Sequence, residues 1–443
     1  MILYKLIAIF FSVLLLVQAY VIKVSTGSYL LPASLFSFVW FLFTIIPLVL
    51  LFNVPVNPLA ILYIFLAISA FSFSAIPFNW KYAILKNKEK ELTVLPELNS
   101  KFIHLIRYLS VILSITFSIL IVTSNGFPVQ AFFTDFISTT ARYAALRGNE
   151  YLEYGIIGTL STFFTHFSAV LGAIVTFYKK SKTKRFLSFL MSITPSLFAM
   201  LTQSSKLVFF VAIIFYLSTT LLMKIYSGKH FLFNISDIFK LIGISLLLLP
   251  LIIIAFVSRD GYSDFNNSNE AINLLLPAIN SYFFGSMYAF CDFFSFYMGF
   301  HSMSNYKVEY YNLGYDSFKS VFDLFGGTKV FPPGYYNDNY FYKDVLATNI
   351  YTAFRGFIQD FGCLGTIIFM YLLGLFFHFS FYKLLVKRDS WLAGGIFIMF
   401  FGFACYSFLI SIFVARYIFL ITLSFYFVLT INGYINRKKS RLN

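Results

Sequence analysis

The chain has 443 residues, of which 59% are hydrophobic and 12% are charged, and its formal net charge is +15. A soluble domain of this size needs more charged residues to cover its surface, so the composition excludes an ordinary soluble protein and indicates a polytopic membrane protein. The positive charges concentrate in short segments beside apolar stretches, a pattern typical of membrane orientation rather than of nucleic-acid binding. The three cysteines, Cys291, Cys363 and Cys405, form no motif, so neither a disulfide framework nor a metal site is predicted.

Apolar stretches long enough to cross a bilayer recur along the chain and predict an all-α protein with about eleven transmembrane helices, within a range of about ten to twelve. The first stretch lacks the small-x-small cleavage pattern of a signal peptide, so we interpret it as a membrane helix. The predicted spans are residues 3–20, 29–52, 57–77, 103–124, 156–178, 186–202, 207–223, 239–257, 361–382, 390–410 and 413–433.

The spans divide the chain into three predicted parts. Residues 1–257 form a membrane bundle with an external loop at 125–155, residues 258–348 form one large external loop, and residues 349–443 form the last membrane helices and a basic tail. Twenty of the 33 Lys and Arg residues fall in five segments on one side of these spans, at 81–101, 179–185, 224–240, 383–388 and 437–441. Because Lys and Arg are retained in the cytoplasm, we place that side and the C-terminus there. The N-terminus then lies outside, unless one helix before residue 80 is missed or false.

The large loop differs from the rest of the chain in its residue composition. Residues 258–348 contain nine acidic residues against five basic ones, and twelve tyrosines. Carboxylates accept hydrogen bonds from sugar hydroxyls and tyrosines offer flat faces to sugar rings, so we expect glycan contacts from Tyr335, Tyr336 and His301. The alternative is that external loops avoid Lys and Arg and that tyrosines anchor at the membrane interface. Residues 281–300 form either a twelfth span or, as the interruptions at Gly285, Asp292 and Gly299 favour, a short interfacial helix.

Several cations are predicted on the external side, where positive charge is not expected. An arginine fork binds phosphate oxygens in pairs, and cations at one depth would surround a diphosphate. The alternative is pairing with Asp135, Glu150 or lipid headgroups. The candidate diphosphate-binding residues outside the last long segment are Arg142, Arg147, Lys206, Arg259 and Arg416.

The segment from Thr348 to Gly374 begins polar, with Asn349 and Tyr351, and becomes uniformly apolar from Phe361. Arg355 and Asp360 lie five residues apart at this transition. If the span begins at Phe361, Asp360 caps its first backbone N–H groups. Alternatively, Asp360 pairs with Arg355 and aims it at a substrate.

Known catalytic patterns are missing from the sequence. It has no P-loop, no glycine-rich dinucleotide turn, no HExxH, no GxSxG and no Asp-x-Asp. Neither a metal nor another cofactor is therefore predicted. Of the five histidines, His301 lies in the large loop and is a candidate base as well as a glycan contact.

The run NIYTAFRGFIQDFGCLG, followed by an apolar helix, resembles the Wzy-type O-antigen polymerases, which polymerise oligosaccharide repeat units. The likeness rests on an Asn-x-Tyr-Thr start at residues 349–352 and on Asp360-Phe361-Gly362 with Gly365. One late external loop agrees with that family as well. Many of its members have Arg at the position of Lys206, a mild departure.

The resemblance implies a metal-independent glycosyltransferase of the bacterial inner membrane. Its substrate would be an oligosaccharide linked to undecaprenyl diphosphate, which leaves when the glycan is transferred at the periplasmic face to a new repeat unit. Its partners would be membrane lipid, a flippase and a membrane protein that regulates chain length, without nucleic acid. On this interpretation Arg355, Asp360 and Tyr351 form the catalytic centre, and Asn349 joins the glycan contacts.

Two other functions remain open on the sequence. An O-antigen ligase has a similar architecture and transfers glycan to the lipid A core. A flippase for lipid-linked oligosaccharides is expected to have charges within its spans and no 91-residue external loop.

Overall fold

The computed structural model describes residues 2–89, 98–148, 155–232, 243, 253, 268–304, 306, 311–326, 336–387 and 390–442. Apart from one two-stranded hairpin, the regular elements in these ranges are helices. The helices before residue 232 are α1 (Ile2–Thr26), α2 (Pro32–Leu50), α3 (Pro58–Phe73), α4 (Trp80–Lys88), α5 (Lys101–Ser124), α6 (Ala131–Thr134), α7 (Phe136–Gly148), α8 (Gly155–Phe177), α9 (Lys182–Thr202) and α10 (Lys206–Tyr226).

The second half contains fewer helices and the hairpin. The helices are α11 (Ser268–Tyr297), α12 (Lys319–Phe322), α13 (Ala353–Val386), α14 (Trp391–Tyr406) and α15 (Arg416–Leu442), with 3-10 turns at Asp323–Phe325 and Ile412–Val414. The antiparallel strands β1 (Tyr340–Tyr342) and β2 (Leu346–Thr348) pair Tyr340 with Thr348 and Tyr342 with Leu346.

The described helices confirm a multi-pass, all-α membrane protein. Eight of them (α1, α2, α5, α8, α9, α10, α13 and α15) are long and apolar enough to cross a bilayer, and α3 and α14 are shorter apolar helices. Ten of the eleven predicted ranges coincide with these helices, whereas the range 239–257 falls almost entirely outside the described residues. The outer face of α1 is apolar, with Leu3, Leu6 and Phe10 each more than half exposed. Such a stripe suits lipid and not water.

The prediction for residues 281–300 was wrong in one respect. Helix α11 is continuous over 30 residues, from Ser268 to Tyr297, rather than a short helix interrupted at Gly285 and Asp292. Glycine suits position 285 because the helix lies close to β2 there, and a Cβ would lie 2.9 Å from Cγ2 of Thr348. Asp292 is tolerated because the following turn supplies its hydrogen bonds. The chain does leave the helix before Gly299, whose φ is +75°.

The chain divides into two compact units, each assembled from segments far apart in sequence. The first unit contains Met1–Ile84, Ile272–Lys383 and Phe403–Arg416. In it α13 approaches α3 closely at Gly374, where a Cβ would lie 2.5 Å from the carbonyl oxygen of Phe71. Helix α3 itself begins at Pro58 because the Asn57 side chain accepts a hydrogen bond from the Leu59 N–H.

The second unit contains Leu85–Ala271, Leu384–Gly402 and Tyr417–Asn443. Its helices α5 and α8 are joined by hydroxyl pairs, Ser114 with Thr165 at 2.5 Å and Ser118 with Ser161 at 2.9 Å. Gly172 of α8 lies directly against the Ser192 side chain of α9, with no room for a Cβ. Small residues and hydroxyl contacts of this kind hold helices together in lipid.

Candidate functional site

Arg355 lies at the centre of an aromatic cluster in the first unit. The hairpin leads through Tyr351 and Thr352 into α13, and the Ala353 N–H donates to the Ser407 carbonyl at 2.8 Å. This arrangement places Arg355 in the first turn of α13, where its side chain is 1% exposed. The guanidinium carbon lies 3.9 Å from the ring centroid of Tyr336 and 4.1 Å from that of Tyr351. Arginine stacked on aromatic faces in this way is stabilised by cation–π attraction.

The charge of Arg355 is balanced by Asp338 and not by Asp360. Nη2 of Arg355 donates to Oδ2 of Asp338, whose side chain is 9% exposed. Among the described residues, no acceptor reaches the buried Nε and Nη1 of the same guanidinium. A buried donor without a partner is costly and calls for an explanation. The expectation that Asp360 pairs with Arg355 was therefore wrong: the loop before β1 delivers a nearer carboxylate.

Asp360 instead holds the backbone of a neighbouring loop. Its two oxygens each accept one N–H, from Asp316 and from Ser317, both at 2.9 Å. The expectation that Asp360 caps a span beginning at Phe361 was wrong, because both of its carboxylate oxygens bind the backbone of residues 316 and 317, and Asp360 lies near the end of the first of two helical segments that make up α13. The helix breaks two residues later at Gly362, with φ 70° and ψ 175°, a conformation that is essentially restricted to glycine.

Burial keeps the hydroxyls of the tyrosines around Arg355 protonated. Burial raises the pKa of Tyr351 to about 12, against the opposing effect of the Arg355 charge. Burial also raises the pKa of Tyr336 and of Tyr306 above the ordinary range. The predicted catalytic residue Tyr351 is fully buried, and its hydroxyl donates to the Asp338 carbonyl at 3.3 Å. At neutral pH these phenols stay protonated, so Tyr351 shapes the cluster around Arg355.

A cavity of about 750 Å³ lies in the same unit. Side chains of α1 and of the turn before α3 form one part of its wall, and residues of α11 and of the turn after α11 form another. Asp292 and the exposed His301 both line it, which gives the predicted glycan contact His301 a place in the fold. The volume is within the range of about 300–1,000 Å³ that is usual for small-molecule sites.

Asp292 and Tyr306 connect the cavity to the Arg355 cluster. The Tyr306 hydroxyl donates to Oδ2 of Asp292 at 2.8 Å, and its ring centroid lies 5.3 Å from the Arg355 guanidinium carbon. The Met303 N–H donates to the other oxygen of Asp292 at 2.7 Å. Asp292, Tyr306 and Asp338 were not predicted from the sequence as site residues, and Asp292 was named there only as an interruption of an apolar segment. A carboxylate within the aromatic run FCDFFSF was the available signal for Asp292.

Of the other predicted cations whose side chains are described, Arg142, Lys206 and Arg416, only Arg416 belongs to the same unit. Its side chain is 52% exposed, and its Nη2 lies 3.1 Å from Oδ2 of Asp323 in an ion pair. In the second unit, Arg142 is exposed on α7 and Lys206 is buried at the start of α10. The Ser204 hydroxyl, in the turn before Lys206, donates to the Thr140 carbonyl of α7 at 3.4 Å. The structure therefore brings the two cation-bearing segments of this unit into contact.

The remaining predicted residues divide into described and undescribed ones. Asn349 is half-buried between the hairpin and α13, and Tyr336 is buried against Arg355. Arg259 and Tyr335 lie outside the described residues, as does the side chain of Arg147. Within the described ranges, no group of three or more His, Cys, Asp or Glu residues is placed to hold a metal ion. Comparisons with models of known families, with characterised proteins and with solved structures find no match to this chain.

Proposed function

We propose that this protein is a Wzy-type polymerase of the bacterial inner membrane. In this proposal it transfers a growing glycan from undecaprenyl diphosphate to the terminal sugar of a new lipid-linked repeat unit. The observation that carries the proposal is that two nitrogens of Arg355, Nε and Nη1, have no hydrogen-bond partner among the described residues inside the tyrosine cluster. A phosphate oxygen pair is the acceptor that an arginine fork fits best.

The chemistry needs a cation where negative charge develops. When the bond between sugar and diphosphate breaks, charge accumulates on the leaving diphosphate, and a preorganised guanidinium stabilises it. The surrounding rings exclude water, which strengthens that attraction. Since Arg355 is 1% exposed and covered by aromatic rings, of which that of Tyr336 is 3.9 Å from the guanidinium carbon, contact with the diphosphate requires part of this aromatic cover to move aside. Asp338 keeps the guanidinium oriented meanwhile.

The membrane arrangement belongs to the same proposal. About eleven spans would place residues 258–348 in the periplasm and the C-terminal basic tail in the cytoplasm. Arg355 would then lie near the outer surface, where repeat units arrive after a flippase has moved them. Arg142, Arg147, Lys206, Arg259 and Arg416 would attract the diphosphate at that surface, and a chain-length regulator would limit the product.

Deletion of the gene tests the proposal by electrophoresis of the surface glycolipid. Loss of a polymerase leaves lipid A core capped with one repeat unit. Loss of a ligase leaves uncapped core, and loss of a flippase leaves no surface repeat units. We expect the single-repeat pattern, restored to long chains by the intact gene and not by Arg355→Ala at equal protein level. Uncapped core or an unchanged ladder in the deletion strain would refute the polymerase assignment.

A further inference from the structure

The cavity has two chemically different sides. Tyr4, Ile7 and Phe11 follow one another at helical spacing on α1 and line one side. Polar groups converge on the other side, from Asp292, Ser295 and His301. The Asn57 amide, on the same lining, donates to the Ser295 hydroxyl at 2.9 Å. Aromatic and apolar faces opposite a few placed polar groups are the ordinary composition of a ligand site.

The charges on the lining argue against a phosphate in this cavity. Among its described lining residues there is no Lys and no Arg, and the one formal charge is the carboxylate of Asp292. Asp292 accepts three hydrogen bonds, from the Met303 and Ser304 N–H groups and from the Tyr306 hydroxyl. The Lys5 ammonium lies behind the lining, where it donates to the Tyr288 hydroxyl at 2.9 Å and to the Leu51 carbonyl at 3.1 Å, so protein groups already hold it. The Asp292 carboxylate disfavours a second anion beside it, whereas a neutral hydroxyl meets acceptors and an imidazole.

Asp292 also fixes the position of His301. Its bonds to Met303 and Ser304 close the turn that follows α11, and Gly299 starts that turn with φ +75°. His301 is exposed on this turn and faces the cavity as one of its lining residues. The turn therefore presents an imidazole to a ligand from a backbone held by two hydrogen bonds.

We propose that this cavity binds the uncharged sugar end of a lipid-linked glycan, with sugar faces against Tyr4, Ile7 and Phe11 and hydroxyls toward Asp292 and His301. This inference rests on the proposed function and deepens it. The uncharged glycan end binds in the cavity, whereas Arg355 binds the diphosphate. Tyr306, bonded to Asp292 and beside Arg355, joins the two places.

The test is binding of simple probes to the purified full chain in lipid nanodiscs, measured by titration calorimetry against empty nanodiscs. The probes are octyl glucoside and octyl phosphate, which share the chain and differ in the head group. We expect saturable binding of octyl glucoside and none of octyl phosphate. Absence of saturable glucoside binding, or equal binding of octyl phosphate, would overturn the proposal.

Two tryptophan variants on α1 localise the binding. Ile7→Trp places an indole ring in the cavity against the proposed sugar position, whereas Leu6→Trp adds the same ring at a neighbouring position that is 52% exposed and does not line the cavity. We expect Ile7→Trp to weaken glucoside binding about tenfold or more and Leu6→Trp to leave it unchanged. His301→Phe keeps a ring but removes its nitrogens and should weaken binding a few-fold. Equal binding by Ile7→Trp and Leu6→Trp would contradict the assignment.

The binding test and the genetic test can fail independently of each other. If the cavity binds the glucoside as stated but the deletion strain lacks the single-repeat pattern, the sugar site stands and the polymerase function does not. If the deletion gives the single-repeat pattern but Ile7→Trp binds the glucoside normally and makes long chains, the polymerase function stands and this sugar site does not.

Discussion

Asp338 forms the ion pair with Arg355 from two residues before β1, although the two residues are 17 positions apart in sequence. The pair closes the segment that contains the hairpin and anchors it to the first turn of α13. The Arg355 side chain is 1% exposed and that of Asp338 is 9% exposed, so the charge pair that ties the hairpin to the helix is largely shielded from solvent.

We expect removal of one partner of this pair to destabilise the protein strongly. Asp338→Ala leaves a buried guanidinium unpaired, which should cost about 3–5 kcal/mol. The double variant Asp338→Leu with Arg355→Met replaces both charges by apolar groups and should recover most of that loss. Unfolding of the purified variants in detergent measures both effects. If the single and the double variant were equally unstable, the ion pair would not be what Asp338 contributes.

Arginine geometry, and not charge alone, should matter at Arg355 and Arg142. Lysine keeps the charge but loses the fork, so Arg355→Lys and Arg142→Lys should shorten or reduce the polymer and the alanine variants should nearly abolish it. The readout is the glycolipid ladder at matched protein level. Lys343→Ala, which removes an exposed cation from the turn of the hairpin, is the control and should keep the wild-type ladder. A normal ladder from Arg355→Ala would remove that residue from the proposed reaction.

Asp360→Asn should be destabilising because each carboxylate oxygen accepts one backbone N–H. Asparagine offers one oxygen and places an NH₂ group against the second donor. The expected loss is about 1–3 kcal/mol in unfolding free energy, with lower protein level. The matched control is Asp344→Asn, at an exposed position of the hairpin, which should be neutral. Wild-type stability of Asp360→Asn would mean that these two bonds contribute little.

Gly362→Ala should destabilise the protein although the change is small. The positive φ of Gly362 is strained for alanine, at about 1–3 kcal/mol, and a Cβ would lie 3.3 Å from the Tyr311 ring. Gly433→Ala, on α15 where nothing lies within 4 Å, should instead stabilise by about 0.5–1 kcal/mol. The two unfolding temperatures should therefore move in opposite directions. A shift in the same direction would contradict the role given to the break in α13.

The membrane topology is testable by reporter fusions. Fusions at Gly228, beside a basic segment, and at Asn312, in the large loop, should report the cytoplasm and the periplasm respectively. Fusions that report the same side would overturn the arrangement and with it the periplasmic assignment of residues 258–348.

The sequence by itself determined the class of the protein and the position of most of its helices. Hydropathy is local: a run of about 20 apolar residues must satisfy its backbone internally in lipid, and it does so as a helix wherever it stands. For the same reason the sequence identified Arg355, a charge placed at the edge of such a run. The resemblance of residues 349–365 to one enzyme family rests on the sequence alone and stays a prediction.

Only the tertiary structure decided which residues meet. Asp338 and not Asp360 balances Arg355, and the Asp360 carboxylate binds backbone groups 43 and 44 positions away. The geometry of the loops brings these groups together, and no periodic pattern in the sequence predicts that geometry. The cavity has the same origin, because Ile7 and Asp292 face one space only after α1 and α11 have packed. Local physics therefore fixed the helices, whereas contacts between distant segments fixed the site.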